Sequence, residues 1–126
     1  MTKKSLQPTQ WVPRGPYSLG VQLGNMVFLS GQISQDNEGK AIGAGDVREQ
    51  TRVVIGKIRD ILALSGMGLD DVVSTTVYLQ SLEDYKAMNE IYSAEFGQPF
   101  PARATVRADL AGEGLLVEIS AIAGKN

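Results

Sequence analysis

Two amphipathic helical stripes interrupt three blocks of strand-like sequence in this 126-residue chain, and two helices can cover only one face of the sheet those blocks would build. The first stripe runs through Val47, Val54, Ile58, Ile61, Leu62 and Ser65, with Arg48, Arg52, Lys57, Arg59 and Asp60 mostly off it. Asp46 and Glu49 have the spacing of a capping box that opens this helix, and Gly66 and Gly68 stop it. The second stripe collects Tyr85, Met88, Ile91, Tyr92 and Phe96 as a core face behind a Ser81 cap, and Pro99 and Pro101 end it. Between the helices, the β-branched run at 71–79 reads as a buried strand.

Upstream, residues 17–23 and 26–30 read as two strands joined by Gly24-Asn25, a hairpin turn of the II′ kind. Pro8, Pro13 and Pro16 mark residues 1–16 as an irregular arm. Residues 31–45 form a long Gly-rich polar connection. Its Gly39-Lys40 is no phosphate loop, because Ser34 stands where the first glycine belongs and Ala41 where a Mg-binding hydroxyl belongs.

After the second helix, 101–110 and 115–123 read as a closing hairpin around the loop 111–114. That register sets Arg107 opposite Glu118 and Thr105 opposite Ser120, so that Arg103, Thr105, Arg107, Glu118 and Ser120 share one face. The expected architecture is α+β, in the order ββαβαββ, as a single domain over 1–126. Leu116 and Ile122 make the open face too mixed for plain solvent, so other subunits are expected to cover it. Two readings of its polar residues stand side by side. They form a solvated surface whose ion pairs contribute tenths of a kcal/mol, or a binding wall with Arg103 as anion clamp and Glu118 as acid-base group.

Cysteine and histidine are both absent, which excludes disulfides, Cys/His zinc sites, thiol nucleophiles and His-based triads. Chemistry must come from carboxylates, Arg, Lys, Tyr, hydroxyls or backbone groups. A net charge of −2 argues against a broad phosphate-binding surface, so nucleic acid is not an expected partner. No apolar run approaches the ~20 residues of a membrane span and the start lacks the apolar centre of a leader, so a cytoplasmic location is expected.

The segments Gly15-Pro16-Tyr17-Ser18, Leu29-Ser30-Gly31-Gln32, Asp71 to Leu79, Asn89-Glu90-Ile91-Tyr92, Pro101-Ala102-Arg103 and Val117-Glu118-Ile119, in this order, resemble the RidA (YjgF, or L-PSP endoribonuclease-like) family over about residues 10–124. The resemblance implies a chorismate-mutase-like fold assembled as a homotrimer, with clefts between subunits. It implies hydrolytic deamination of 2-imino acids and their 2-enamine tautomers, such as 2-aminoacrylate and 2-iminobutanoate, to 2-oxo acids and ammonia, with no cofactor or metal. In that scheme Arg103 grips the substrate carboxylate with its planar fork and Glu118 handles water. The resemblance further implies that Tyr17, Ser30, Gly31, Asn89 and Thr105 contact the ligand.

Leu19, Ala104 and Arg107 depart from the family pattern, Arg107 as an added positive charge near the site. A non-catalytic small-molecule regulator using the same cleft is a rival reading, because a fold does not fix its chemistry. A ribonuclease or translation inhibitor is a third.

Overall fold

The computed structural model describes residues 2–126, in which eight elements are joined by turns and short 3-10 segments. Strands β1 (Lys4–Leu6), β2 (Gly20–Leu23) and β3 (Met26–Ile33) are followed by helix α1 (Val47–Ala63) and strand β4 (Val72–Leu79). Helix α2 (Tyr85–Phe96) then leads into β5 (Ala102–Arg107) and β6 (Val117–Gly124). The six strands form one mixed sheet in the order β1-β2-β3-β6-β4-β5, with both helices packed on one face.

Local chemistry explains most boundaries. Gly24 has a φ of 60° and Asn25 does not share that sign, as a two-residue II′ turn requires, and Leu23 pairs directly with Met26. Asp46 accepts the Glu49 N–H at 3.1 Å and so caps α1. The box is only half made, since the Asp46 N–H goes to the Gly43 carbonyl instead.

The core lies between the helices and the middle strands. Ile55, Ile58, Ile61 and Leu62 of α1 and Met88, Tyr92 and Phe96 of α2 meet Val27, Leu29, Val77, Leu79, Val117, Ile119, Ala121 and Ala123. Burial of each large aliphatic side chain contributes about 1.5–3 kcal/mol, so this layer dominates the fold's stability.

Four expectations change. The arm is not wholly irregular, because Lys4–Leu6 pair with Gly20–Gln22 as an added edge strand. Strand β3 runs on to Ile33, three residues past the expected end, because it continues along β6 through a bulge. Tyr85 leaves the core stripe and stands 44% exposed at the start of α2, whereas Lys57 is buried within α1.

The largest correction concerns the last two strands, which do not form a hairpin. Strand β5 pairs in parallel with β4, and β6 lies antiparallel between β3 and β4. Residues 108–116 are long enough to step past β4, since two strand spacings are about 10 Å and an extended residue spans about 3.3 Å. Two glutamine side chains, Gln50 buried and Gln80 exposed, fix their path. Gln50 donates to the Gly43 and Gly114 carbonyls at 3.0 and 2.8 Å and accepts the Leu116 N–H at 2.8 Å, while the Gln80 side chain accepts the Leu110 N–H at 2.8 Å.

The faces are redistributed as a result. Arg103, Thr105 and Arg107 are in register with Thr75, Val77 and Leu79, on the helix-bearing side of the sheet. Glu118, Ser120 and Ile122 are in register with Tyr78, Thr76 and Ser74, on the open side. Arg103 and Glu118 therefore lie on opposite faces. The open face carries Phe28 and Val106 at 45% and 43% exposure, with a polar line of Ser74, Thr76 and Ser120 between them.

Candidate functional site

The expected site residues fall into two separate groups. Around Arg103, the parallel pairing with β4 sets the guanidinium beneath α2. Tyr85, Asn89 and Tyr92 stand at i, i+4 and i+7, on one side of that helix. The Arg103 guanidinium carbon lies 4.8 Å from the Tyr92 ring centre and 5.7 Å from that of Tyr85, with Nη2 donating to the Tyr85 hydroxyl at 3.3 Å. Tyr92 is itself anchored, its hydroxyl 2.7 Å from Thr75 Oγ1 in the interior and its ring 4.5 Å from that of Phe96.

Two aromatic rings thus flank the cation, and of its N–H donors only Nη2 is engaged, by the Tyr85 hydroxyl. Among the described residues Arg103 has no carboxylate partner; the ion pairs present join Arg48 to Glu90, Arg52 to Glu49 and Arg59 to Glu95. The guanidinium borders a cavity of about 270 Å³ shared with Asn89, Tyr92, Ser93, Phe100 and Pro101. The Asn89 amide, and then the charge of Arg103, lower the Tyr85 phenol from its ordinary value, whereas burial raises that of Tyr92.

The second group is built by the bulge in β3. Between Leu29 and Gln32 the strand advances three residues while β6 advances two, from Ala121 to Ile119, so one extra residue is accommodated beside Glu118. Gly31 fits this place because it has no side chain. A Cβ there would collide with the Glu118 carboxylate and lie 2.8 Å from its Cδ. Ser30 is held by a side-chain bond to the Ser18 carbonyl at 2.5 Å and a backbone bond to that of Leu19.

Tyr17 folds back over Gly15 and is 48% exposed as a residue. Arg14, Tyr17, Ser30, Gly31, Gln35 and Glu118 line a cleft of about 550 Å³. Among the described residues Glu118 has no ion-pair partner, and burial raises its carboxyl above the ordinary value.

Arg103 and Asn89 therefore meet at one cleft, and Tyr17, Ser30, Gly31 and Glu118 at another. Thr105 lines neither: it sits opposite Val77, two residues beyond Arg103. Arg107 is exposed at the end of β5 and borders neither of these two clefts within the chain. Leu19 is a core residue, and Ala104 faces the open side opposite Thr76.

Sequence reasoning missed Arg14, Tyr85 and Tyr92. The helical spacing of the two tyrosines with Asn89 was the available signal for those, whereas nothing in the pattern of the arm marked Arg14. Within one chain, Arg103 and Glu118 project from strands two apart and three residues offset, on the order of 14 Å between backbones, and point to opposite sides. No molecule of a few carbon atoms can touch both.

Among the described residues no cluster of His, Cys, Asp or Glu could hold a metal ion, and no helix is long and apolar enough to cross a membrane. The family profile described as Endoribonuclease L-PSP matches residues 8–125. A RutC family protein of Pyrococcus abyssi is 46% identical over 113 residues, covering 90% of this chain and 89% of that one. A 2-iminobutanoate/2-iminopropanoate deaminase of Dermatophagoides farinae is 32% identical and covers 97% of each. The crystal structure of E. coli TdcF with bound serine superposes with a TM-score of 0.87 at 31% identity, covering 98% of this chain and 99% of that one.

Proposed function

This chain belongs to the endoribonuclease L-PSP (RidA) family, and from that premise we propose that it hydrolyses 2-imino acids and their 2-enamine tautomers to 2-oxo acids and ammonia. The observation that carries this reading is the Arg103 guanidinium, held by two aromatic rings at the mouth of a cavity and without a carboxylate partner among the described residues. A cation fixed and unneutralised in this way binds a carboxylate by two parallel charge-assisted hydrogen bonds. A related protein named for deamination of such imines, and another solved with an amino acid bound, support the same ligand class.

The reaction needs no large apparatus. Water adds to the imine carbon as a C–O bond forms, and its protons end on nitrogen. The C–N bond then breaks and ammonia leaves. Glu118 is the acid-base group for these transfers, taking a proton from water and returning it to nitrogen. A carboxyl raised by burial serves this exchange better than one fixed as an anion. Ser30, Gly31 and Tyr17 shape the wall around it, and Asn89 stands beside the carboxylate subsite.

Because Arg103 and Glu118 of one chain cannot reach a common small molecule, the working cleft joins the Arg103 half of one copy to the Glu118 half of a neighbour, in a homotrimer. The bare open face of the sheet, with Phe28, Ile122 and Val106, is the surface such copies would share.

The test generates 2-aminoacrylate in situ with a pyridoxal-dependent dehydratase and follows decay of the imine with and without the protein. The wild-type chain is expected to speed that decay, and Arg103→Ala to lose about a hundredfold in kcat/KM, the worth of two charge-assisted bonds. No acceleration by the wild type, or an equal one by the variant, overturns the reading.

A further inference from the structure

The cleft at Glu118 contains a cation of its own. Arg14 stands just before Gly15-Pro16-Tyr17 and lines the same cleft as Tyr17, Ser30, Gly31 and Glu118. Its guanidinium is anchored. Nη1 donates to the Asn37 carbonyl at 2.9 Å, and Nη2 lies over Gly39, where a Cβ would come within 2.7 Å of it. Asn37 is fixed in turn, donating to the Gln10 carbonyl at 2.9 Å and accepting the Val12 N–H at 3.1 Å, so the arm and the loop after β3 close on each other around Arg14.

One of the five N–H donors of Arg14 is engaged. Among the described residues no carboxylate pairs with it, and Asp36 nearby turns its Oδ1 to the N–H groups of Glu38 and Lys40. A cleft that presents a carboxylate repels a second anion unless that anion meets a cation of its own, and Arg14, which makes no ion pair with Glu118, lines the same cleft.

We infer that Arg14 is a specificity-determining residue that receives a second anionic group, so that the preferred substrates are 2-imino acids with a carboxylate on the side chain. The substrate class rests on the deaminase reading above; the anion site does not. The chemical step is unchanged, with water adding at the imine carbon and ammonia leaving.

Amino-acid oxidases acting on glutamate and on alanine supply a dicarboxylic and a monocarboxylic imine, and kcat/KM for each is measured with the wild-type chain, Arg14→Met and Arg14→Lys. The expected result is a preference for the dicarboxylic imine that falls about tenfold in Arg14→Met, as for one charge-assisted contact, and recovers in part in Arg14→Lys. A ratio that does not move in either variant overturns the inference.

If the wild type speeds neither imine, the deaminase reading falls and Arg14 is judged by calorimetry with 2-oxoglutarate and 2-oxobutanoate. Tighter binding of the diacid, lost in Arg14→Met, sustains the anion site. Equal binding of the two acids by the wild type ends it.

Discussion

Burial raises the Glu118 carboxyl above its ordinary value of 4.5, while the unfolded chain releases the same proton at that value. Between the two, the unfolded state binds fewer protons, so folding stability is lost as pH rises through this window and stays lower at neutral pH. Glu118→Gln removes the ionisable group and keeps its shape. Its melting temperature at pH 7 is expected to exceed that of the wild type by up to about 3 °C, with no gain at pH 3.5. Its kcat/KM for the imine is expected to fall by about 10²–10⁴. Thermal scans at the two pH values and the imine-decay assay check both halves, and an equal thermal gain at both pH values would exclude ionisation as the cause. At this scale the sequence singled out residues that border clefts, Arg103 and Asn89 one and Tyr17, Ser30, Gly31 and Glu118 another. Which of them share a cleft was not legible, because a residue's chemistry says nothing about the face to which its strand will turn it.

Period-two alternation divided β5 and β6 into their two sides, but alternation within a strand does not say which side of its neighbour it joins. Strands adjacent in sequence are usually adjacent in space, which made a hairpin of β5 and β6 the natural expectation. The Gln50 and Gln80 side chains, which carry the 108–116 connection past β4, leave no periodic trace in the sequence. Lys57 escaped in a similar way. It is charged and off the α1 stripe, yet it is 6% exposed, donating to the Gln35 carbonyl at 2.7 Å beneath the Trp11 ring. Its loss of solvent pushes the folded ammonium down to about 8 from 10.5. Between these values the unfolded chain binds more protons, so stability rises with pH, and below about 8 the cost is present in full. The melting temperature of the wild type, relative to Lys57→Met, is therefore expected to climb by roughly 3 °C from pH 7.5 to 10. A constant difference between the two across that range would show that Lys57 is not the titrating group.

For the whole molecule, the separation of Arg103 from Glu118 makes a genetic test available. If each working cleft takes one group from each of two copies, chains carrying Arg103→Ala and chains carrying Glu118→Gln, each strongly impaired alone, restore activity when co-expressed. Random assembly of equal amounts leaves about a quarter of the clefts with both groups intact. Recovery of imine hydrolysis toward that fraction is expected in the co-purified mixture, whereas no recovery would mean that each chain works by itself. The arm that carries Arg14 and Tyr17 brings a further property to the molecule. Trp11 is the one tryptophan in the sequence, stacked 4.1 Å from the Lys57 ammonium, bonded through its indole N–H to Asp60, and set in the same wall as Tyr17 and Gly31. The chain's single indole fluorophore therefore stands where the arm packs against α1, and its emission is a built-in optical report on that packing, read without any label.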